Sequence, residues 1–243
     1  MRKLFLSLIA LVILSAFLIV PQLVGAKSPS QPVSKKSSND PYVLINYRAA
    51  SKGCTLTTND QVSNYAWTGW KARGLIDYKI NLQTKPKDLS INLVQDVFGA
   101  SFSNIQGANN GILFHYAGES RESYPSNDGQ NTIMWRALPT NVVAMTYIWI
   151  DSDRRLAAVD TVFNNKYRWS YTDYNGRNDC GGSTSSFDLR DVATHEFGHW
   201  IGLGDLYDPA SKDLTMYGYA SRSELKKDTL GLGDTLGVRA VWP

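Results

Sequence analysis

The sequence predicts an α/β (α+β) fold, with a single sheet and a few helices sharing one core. Three observations predict it. Strand-like and helix-like runs alternate between residues 74 and 203. The helix-like runs are few and long, and the strand-like runs are short. No internal repeat is visible, and no glycine-rich strand-to-helix turn suits a phosphate or a dinucleotide. The glycines of "LGLGDTLG" lack the strand that such a turn needs before it.

The N-terminal stretch stands apart from that domain. Arg2 and Lys3 precede an apolar run from Leu4 to Val20 that only Ser7 and Ser15 interrupt. Pro21 ends the run, and Val24, Gly25 and Ala26 supply small residues for a cleavage site. This pattern predicts a secretory signal peptide over 1–26. An uncleaved anchor is the alternative, because the run is nearly long enough to span a bilayer. Either way the body of the protein faces outside the cytoplasm. Residues 27–41, "KSPSQPVSKKSSNDP", have almost no apolar content and read as a flexible linker. Residues 42–64 read as an N-terminal extension, and 65–243 as the main domain.

"GLIDYKINL" (74–82) alternates apolar and polar residues, as a half-buried strand does. Leu89, Leu93, Val97, Phe98 and Phe102 recur at helical spacing in 88–105, with Asp88 as the expected cap. "GILFHYAG" (111–118), "VVAMTYIWI" (142–150) and "RLAAVDTVFN" (155–164) read as strands. Residues 171–187 read as a long loop. "FDLRDVATHEFGHWIGL" (187–203) reads as a helix capped by Ser186 or Asp188. The tail, 230–242, reads as a last short helix interrupted by glycines.

Charge excludes one class of partner. The formal net charge of +3 falls to +1 without Arg2 and Lys3, which gives no footprint for nucleic acid. No later segment is long and apolar enough for a membrane span, so none is expected after signal cleavage; a monomer is the expected state. Cys54 and Cys180 are the two cysteines, and in an exported chain they predict one disulfide. Two buried thiols, or a Cys54 thiolate that blocks a metal, are the alternatives.

"HEFGHWIGLGD" (195–205) carries the chemistry. His195 and His199 stand four apart, so on a helix both imidazoles lie on one face and reach one ion. Glu196 lies about 100° around the axis, where it serves better as a general base than as a ligand. Gly202 suits a left-handed turn that ends the helix and brings Asp205 back toward the histidines. The chain has three histidines, so the third ligand is His115, a carboxylate such as Asp205, or missing. Asp205 fits the reversal; His115 sits in an apolar strand-like stretch and reads as structural. Three ionisable groups on one apolar helix would be expensive to bury without a cation.

This stretch resembles the extended zinc motif of the metzincin metalloproteases, in its matrixin-like and snapalysin-like form with aspartate as the last ligand. "LTMYGYAS" adds Met216, eleven residues past Asp205, like the methionine turn of that clan. The strand "AAVDTVFN" resembles the clan's edge strand, which pairs with extended substrate. The resemblance covers roughly 65–243. It implies a single catalytic domain with a mixed twisted sheet, an antiparallel edge strand, an active-site helix and a C-terminal helix. It implies Zn2+ on His195, His199 and Asp205, Glu196 as general base, and a protein or peptide substrate. Tyr219, or Tyr217, is a candidate donor to the oxyanion, against simple packing. The chain departs from the family in having no cysteine-switch motif and no His/Asp-rich loop for a second zinc. Asp151, Asp153, Asp173 and Asp179 are candidate Ca2+ ligands, against ordinary solvated acids.

The expected function is a secreted zinc endopeptidase. A zinc-stabilised binding protein without catalysis is the alternative, although it would have no use for Glu196. A hydrolase of non-peptide amides is a third reading.

Overall fold

A computed structural model describes residues 40–50, 53–72, 74–109 and 111–242. The signal-peptide stretch 1–26 and nearly all of the linker 27–41 lie outside the described residues. The first strands are β1 (Tyr42–Arg48), β2 (Ala66–Trp67), β3 (Leu75–Ile80), β4 (Leu113–Glu119) and β5 (Asn131–Arg136). Then come β6 (Val142–Ile150), β7 (Leu156–Asn164), β8 (Trp169–Ser170), β9 (Phe187–Asp188), β10 (Leu203–Gly204) and β11 (Tyr219–Ala220). The helices are α1 (Ile91–Ala108), α2 (Leu189–Trp200) and α3 (Leu232–Val241).

Seven strands form one mixed sheet in the order β11-β1-β6-β7-β5-β3-β4. β6 runs antiparallel to both of its neighbours, and the other pairings are parallel. Burial follows position in the sheet. β4, at one edge, alternates exposed and half-buried residues, whereas β7, flanked on both sides, is buried along nearly its whole length. The stretch expected at the edge, 157–164, is therefore internal. A continuous apolar run reads the same wherever it sits, so periodicity did not locate it. β1, in the stretch read as an extension, lies between β6 and β11.

α1 begins two residues later than expected. Ser90, not Asp88, is its cap, and the Ser90 hydroxyl accepts from the Leu93 N–H. Aromatic side chains fuse α1, α2 and the sheet. Phe102 of α1 stacks on Phe197 of α2 at 3.9 Å between centroids, and Phe98 contacts both Phe163 of β7 and Phe197. Each such buried ring stabilises the fold by about 2–3 kcal/mol. The Trp200 indole N–H donates to Thr161 Oγ1 across 2.9 Å, fixing the end of α2 against β7. The apolar face of α2 is thus committed to the core, and its histidine face looks the other way. No helix of the described residues is long and apolar enough to cross a membrane.

Candidate metal centre

Asp188 starts α2, its carboxylate accepting from the Arg190 and Asp191 N–H groups. His195, Glu196 and His199 are all fully buried. Each histidine is oriented through its second nitrogen. His195 Nδ1 lies 2.8 Å from the Thr215 carbonyl, and His199 Nδ1 lies 2.9 Å from the Leu203 carbonyl. A carbonyl only accepts, so both Nδ1 atoms carry the proton and both Nε2 lone pairs are left free.

After α2 the chain reverses at Gly202, which has φ +102. A side chain there would also meet the Trp70 carbonyl oxygen at 2.5 Å. The Leu203–Gly204 strand pairs with β2 and delivers Asp205 to the histidines. Asp205 Oδ1 stands 3.1 Å from His195 Nε2 and 3.5 Å from His199 Nε2, and the two Nε2 atoms are 3.2 Å apart. Three tetrahedral ligands at zinc bond lengths would stand about 3.3 Å from one another. The donor set of two imidazoles and one carboxylate also suits zinc. Among the described residues this is the one group of three or more such side chains able to hold a metal ion.

Burial and the mutual contacts of the group set its electrostatics. Burial pushes His195 below its ordinary pKa. Burial opposes protonation of His199 too, but the Asp205 carboxylate outweighs it and raises that imidazole. Burial alone would raise Asp205; His199 and His195 instead hold it well below the usual carboxylate range. Burial pushes Glu196 up to about 8. Glu196 Oε2 accepts from the Thr146 hydroxyl on β6 at 2.5 Å, while Glu196 Oε1 is buried without a hydrogen-bond partner. Thr146 carries no sequence signal, because one threonine in a strand says nothing about the helix behind it.

Met216 lies under α2 at Gly198, where an added Cβ would overlap its sulfur. Its backbone is fixed from α3: buried Asp234 accepts from the Thr215 N–H at 2.8 Å and the Met216 N–H at 3.0 Å. Tyr219 contacts the rings of Tyr47, Tyr207 and Tyr217. The tyrosine beside the cluster is Tyr207, whose hydroxyl neighbours Asp205; burial and that carboxylate both raise its pKa. Its place two residues past Asp205 is the signal that would have found it.

The remaining expected residues lie elsewhere. His115 is exposed on β4, with Nδ1 2.8 Å from Asp77, at the opposite edge of the sheet from β11. The four calcium candidates do not form a metal cluster. Asp151 caps its own turn by accepting from Asp153 and Arg155, and Asp179 accepts from Thr57 and Tyr174. Cys54 and Cys180 form a disulfide with Cα atoms 5.5 Å apart, tying the segment after β1 to the loop before α2.

A mixed sheet backed by a helix bearing two buried histidines, with an aspartate returned by a tight turn, brings together three side chains able to hold a metal ion. The family model of the matrixins, a peptidase family, matches residues 70–242. The chain belongs to the matrixin family.

Proposed function

We propose that the protein is a secreted zinc-dependent endopeptidase. His195, His199 and Asp205 would hold the zinc and Glu196 would serve as general base. One observation carries the reading: three ligand atoms converge at 3.1–3.5 Å beside a buried glutamate oxygen without a partner. When bound, the zinc supplies Lewis-acid chemistry, acidifying a water and stabilising oxyanion charge.

The protein's own groups do the rest. The Thr215 and Leu203 carbonyls fix the imidazole tautomers, so both Nε2 atoms stay available. Asp205 remains ionised and offsets part of the cation's charge. Thr146 occupies Glu196 Oε2, leaving Oε1 to take a proton from the attacking water. Glu196 then gives that proton to the amine nitrogen of the broken peptide bond. Tyr219, exposed and in ring contact with Tyr47, Tyr207 and Tyr217, is assigned a packing role. Export rests on the signal-peptide pattern of 1–26.

The test combines metal content with turnover. The purified protein is expected to carry one zinc and to cleave casein, with activity lost to a chelator and restored by added zinc. Glu196→Gln is expected to keep the zinc and lower turnover by about 10²–10⁴-fold, the usual contribution of a general base. A chain that binds no stoichiometric zinc, or a Glu196→Gln variant with normal turnover, overturns the reading.

A further inference from the structure

The hairpin between β6 and β7 turns through residues 151–155 and ends on a residue that such a turn does not favour. The Asp151 carboxylate accepts from the Asp153 and Arg155 N–H groups, and the Asp151 carbonyl accepts from the Arg154 N–H at 3.1 Å. Arg154 takes the left-handed position, with φ 59. Glycine or asparagine adopts that conformation more readily. The Arg154 side chain is fixed as well. Its Nε–H donates to the Gly69 carbonyl at 2.7 Å. Gly69 leaves room for it, since an added Cβ there would stand 2.5 Å from Arg154 Nη2. The other N–H groups of this guanidinium have no acceptor among the described residues.

Two more cations stand beside it. Lys71 and Arg155 pair in a parallel bridge, the Lys71 N–H donating to the Arg154 carbonyl and the Leu156 N–H to the Lys71 carbonyl. Like charges placed opposite each other destabilise a sheet. Among the described residues no carboxylate forms an ion pair with Lys71, Arg154 or Arg155. All three line one cavity of 640 Å³, with Trp67, Trp242 and one acid, Asp153. Small-ligand sites span about 300–1,000 Å³. The Trp67 indole N–H is already used, on the Trp70 carbonyl at 3.0 Å, so this ring offers the cavity apolar surface.

A strained arginine, a glycine that clears it and two opposed cations each cost stability if they serve packing alone. An anion in the cavity offsets that cost. The indoles require the occupant to bring apolar surface too, which a bare phosphate or sulfate lacks. A glutamate next to an aromatic residue has both, and a guanidinium grips a carboxylate through two N–H groups. None of the three metal-site side chains lines this cavity. The two are nonetheless adjacent in the fold: Trp67 pairs with Leu203, and Gly204, opposite Ala66, leads into Asp205.

We propose that this cavity binds an acidic peptide segment that also carries an aromatic side chain. Resting on the peptidase reading above, the segment belongs to the substrate and is held away from the bond that is cut.

The probe is a fluorescent Glu-Phe-Glu tripeptide, blocked at both ends and titrated onto the full chain carrying Glu196→Gln. Expected is saturable binding that weakens as salt rises. Lys71→Glu and Arg155→Glu, both at exposed positions, should each weaken it about tenfold. Arg154→Gly relieves the backbone, so the melting temperature should hold or rise while affinity falls about tenfold. An arginine that only pins the hairpin gives the reverse, a lower melting temperature with unchanged binding, and that result overturns the proposal. Binding that all three variants keep overturns it too. In the chain with Glu196 intact, Arg155→Glu should raise KM for casein, leaving kcat and the cleavage of a short uncharged peptide unchanged; an unchanged KM overturns the substrate assignment. Equal binding of Glu-Gly-Glu, or displacement of the tripeptide by a sulfated polysaccharide but not by excess unlabelled tripeptide, overturns the choice of occupant. Tripeptide binding by a chain that hydrolyses nothing supports the cavity and overturns the peptidase reading instead.

Discussion

Gly198, inside the histidine pair, has no room for a methyl group because the Met216 sulfur occupies that space. Gly198→Ala forces sulfur and helix apart. It should lower stability by about 1–3 kcal/mol, the usual cost of overpacking, and weaken zinc binding. Adding Met216→Ala to it should recover part of the zinc affinity; calorimetry and zinc titration check both. The histidines were legible in the sequence because one helical turn equals their spacing, which needs no tertiary knowledge. Asp205 was legible because Gly202 announces a reversal. The constraint on Gly198 was not, since it depends on where a chain leaving the site returns. Thr146 was silent for the same reason: it gains its meaning from Glu196, far away in sequence.

At the scale of elements, the turn that ends α2 matters more than the helix's length. Gly202 combines a left-handed backbone with a carbonyl 2.5 Å from where a Cβ would stand. Gly202→Ala should cost more than about 1 kcal/mol, the scale of substitutions at positive φ, and should swing Asp205 away. Zinc affinity is expected to fall at least tenfold while His195 and His199 stay in place, which isothermal titration can measure. Long elements with strong periodicity were legible: α1, α2, β3, β6 and β7 fall close to the runs that predicted them. β1 was hidden by its setting, since "YVLINYR" follows a Ser- and Lys-rich stretch that looks like the tail of a linker. β5 is a short run between turns, and nothing local distinguishes it from a loop. The sheet order also escaped the sequence, because strand neighbours are chosen by pairings across the chain.

Over the whole molecule, buried carboxylates set how stability responds to pH. Asp228 is fully buried, both its carboxylate oxygens lack partners, and burial with nearby Asp188 pushes its pKa to about 8. An unfolded aspartate titrates near about 3.9. The folded state therefore holds a proton that the unfolded chain has lost between these values, and stability falls as pH rises through that window. Asp228→Asn should flatten this slope and raise stability at pH 8 by about 1–3 kcal/mol, in the range of an unsatisfied buried group. Urea melts at pH 5 and pH 8 would show it; an unchanged slope would assign the dependence to other groups.

The bridge between Cys54 and Cys180 also sets how far the front of the chain can wander. The few residues from Arg48 to the anchored sulfur reach about 20 Å at full stretch. While the bridge is intact, the end of β1 therefore cannot move further than that from the loop before α2. Cutting the bridge by reduction would lift that restraint and free the front of the chain from the loop before α2.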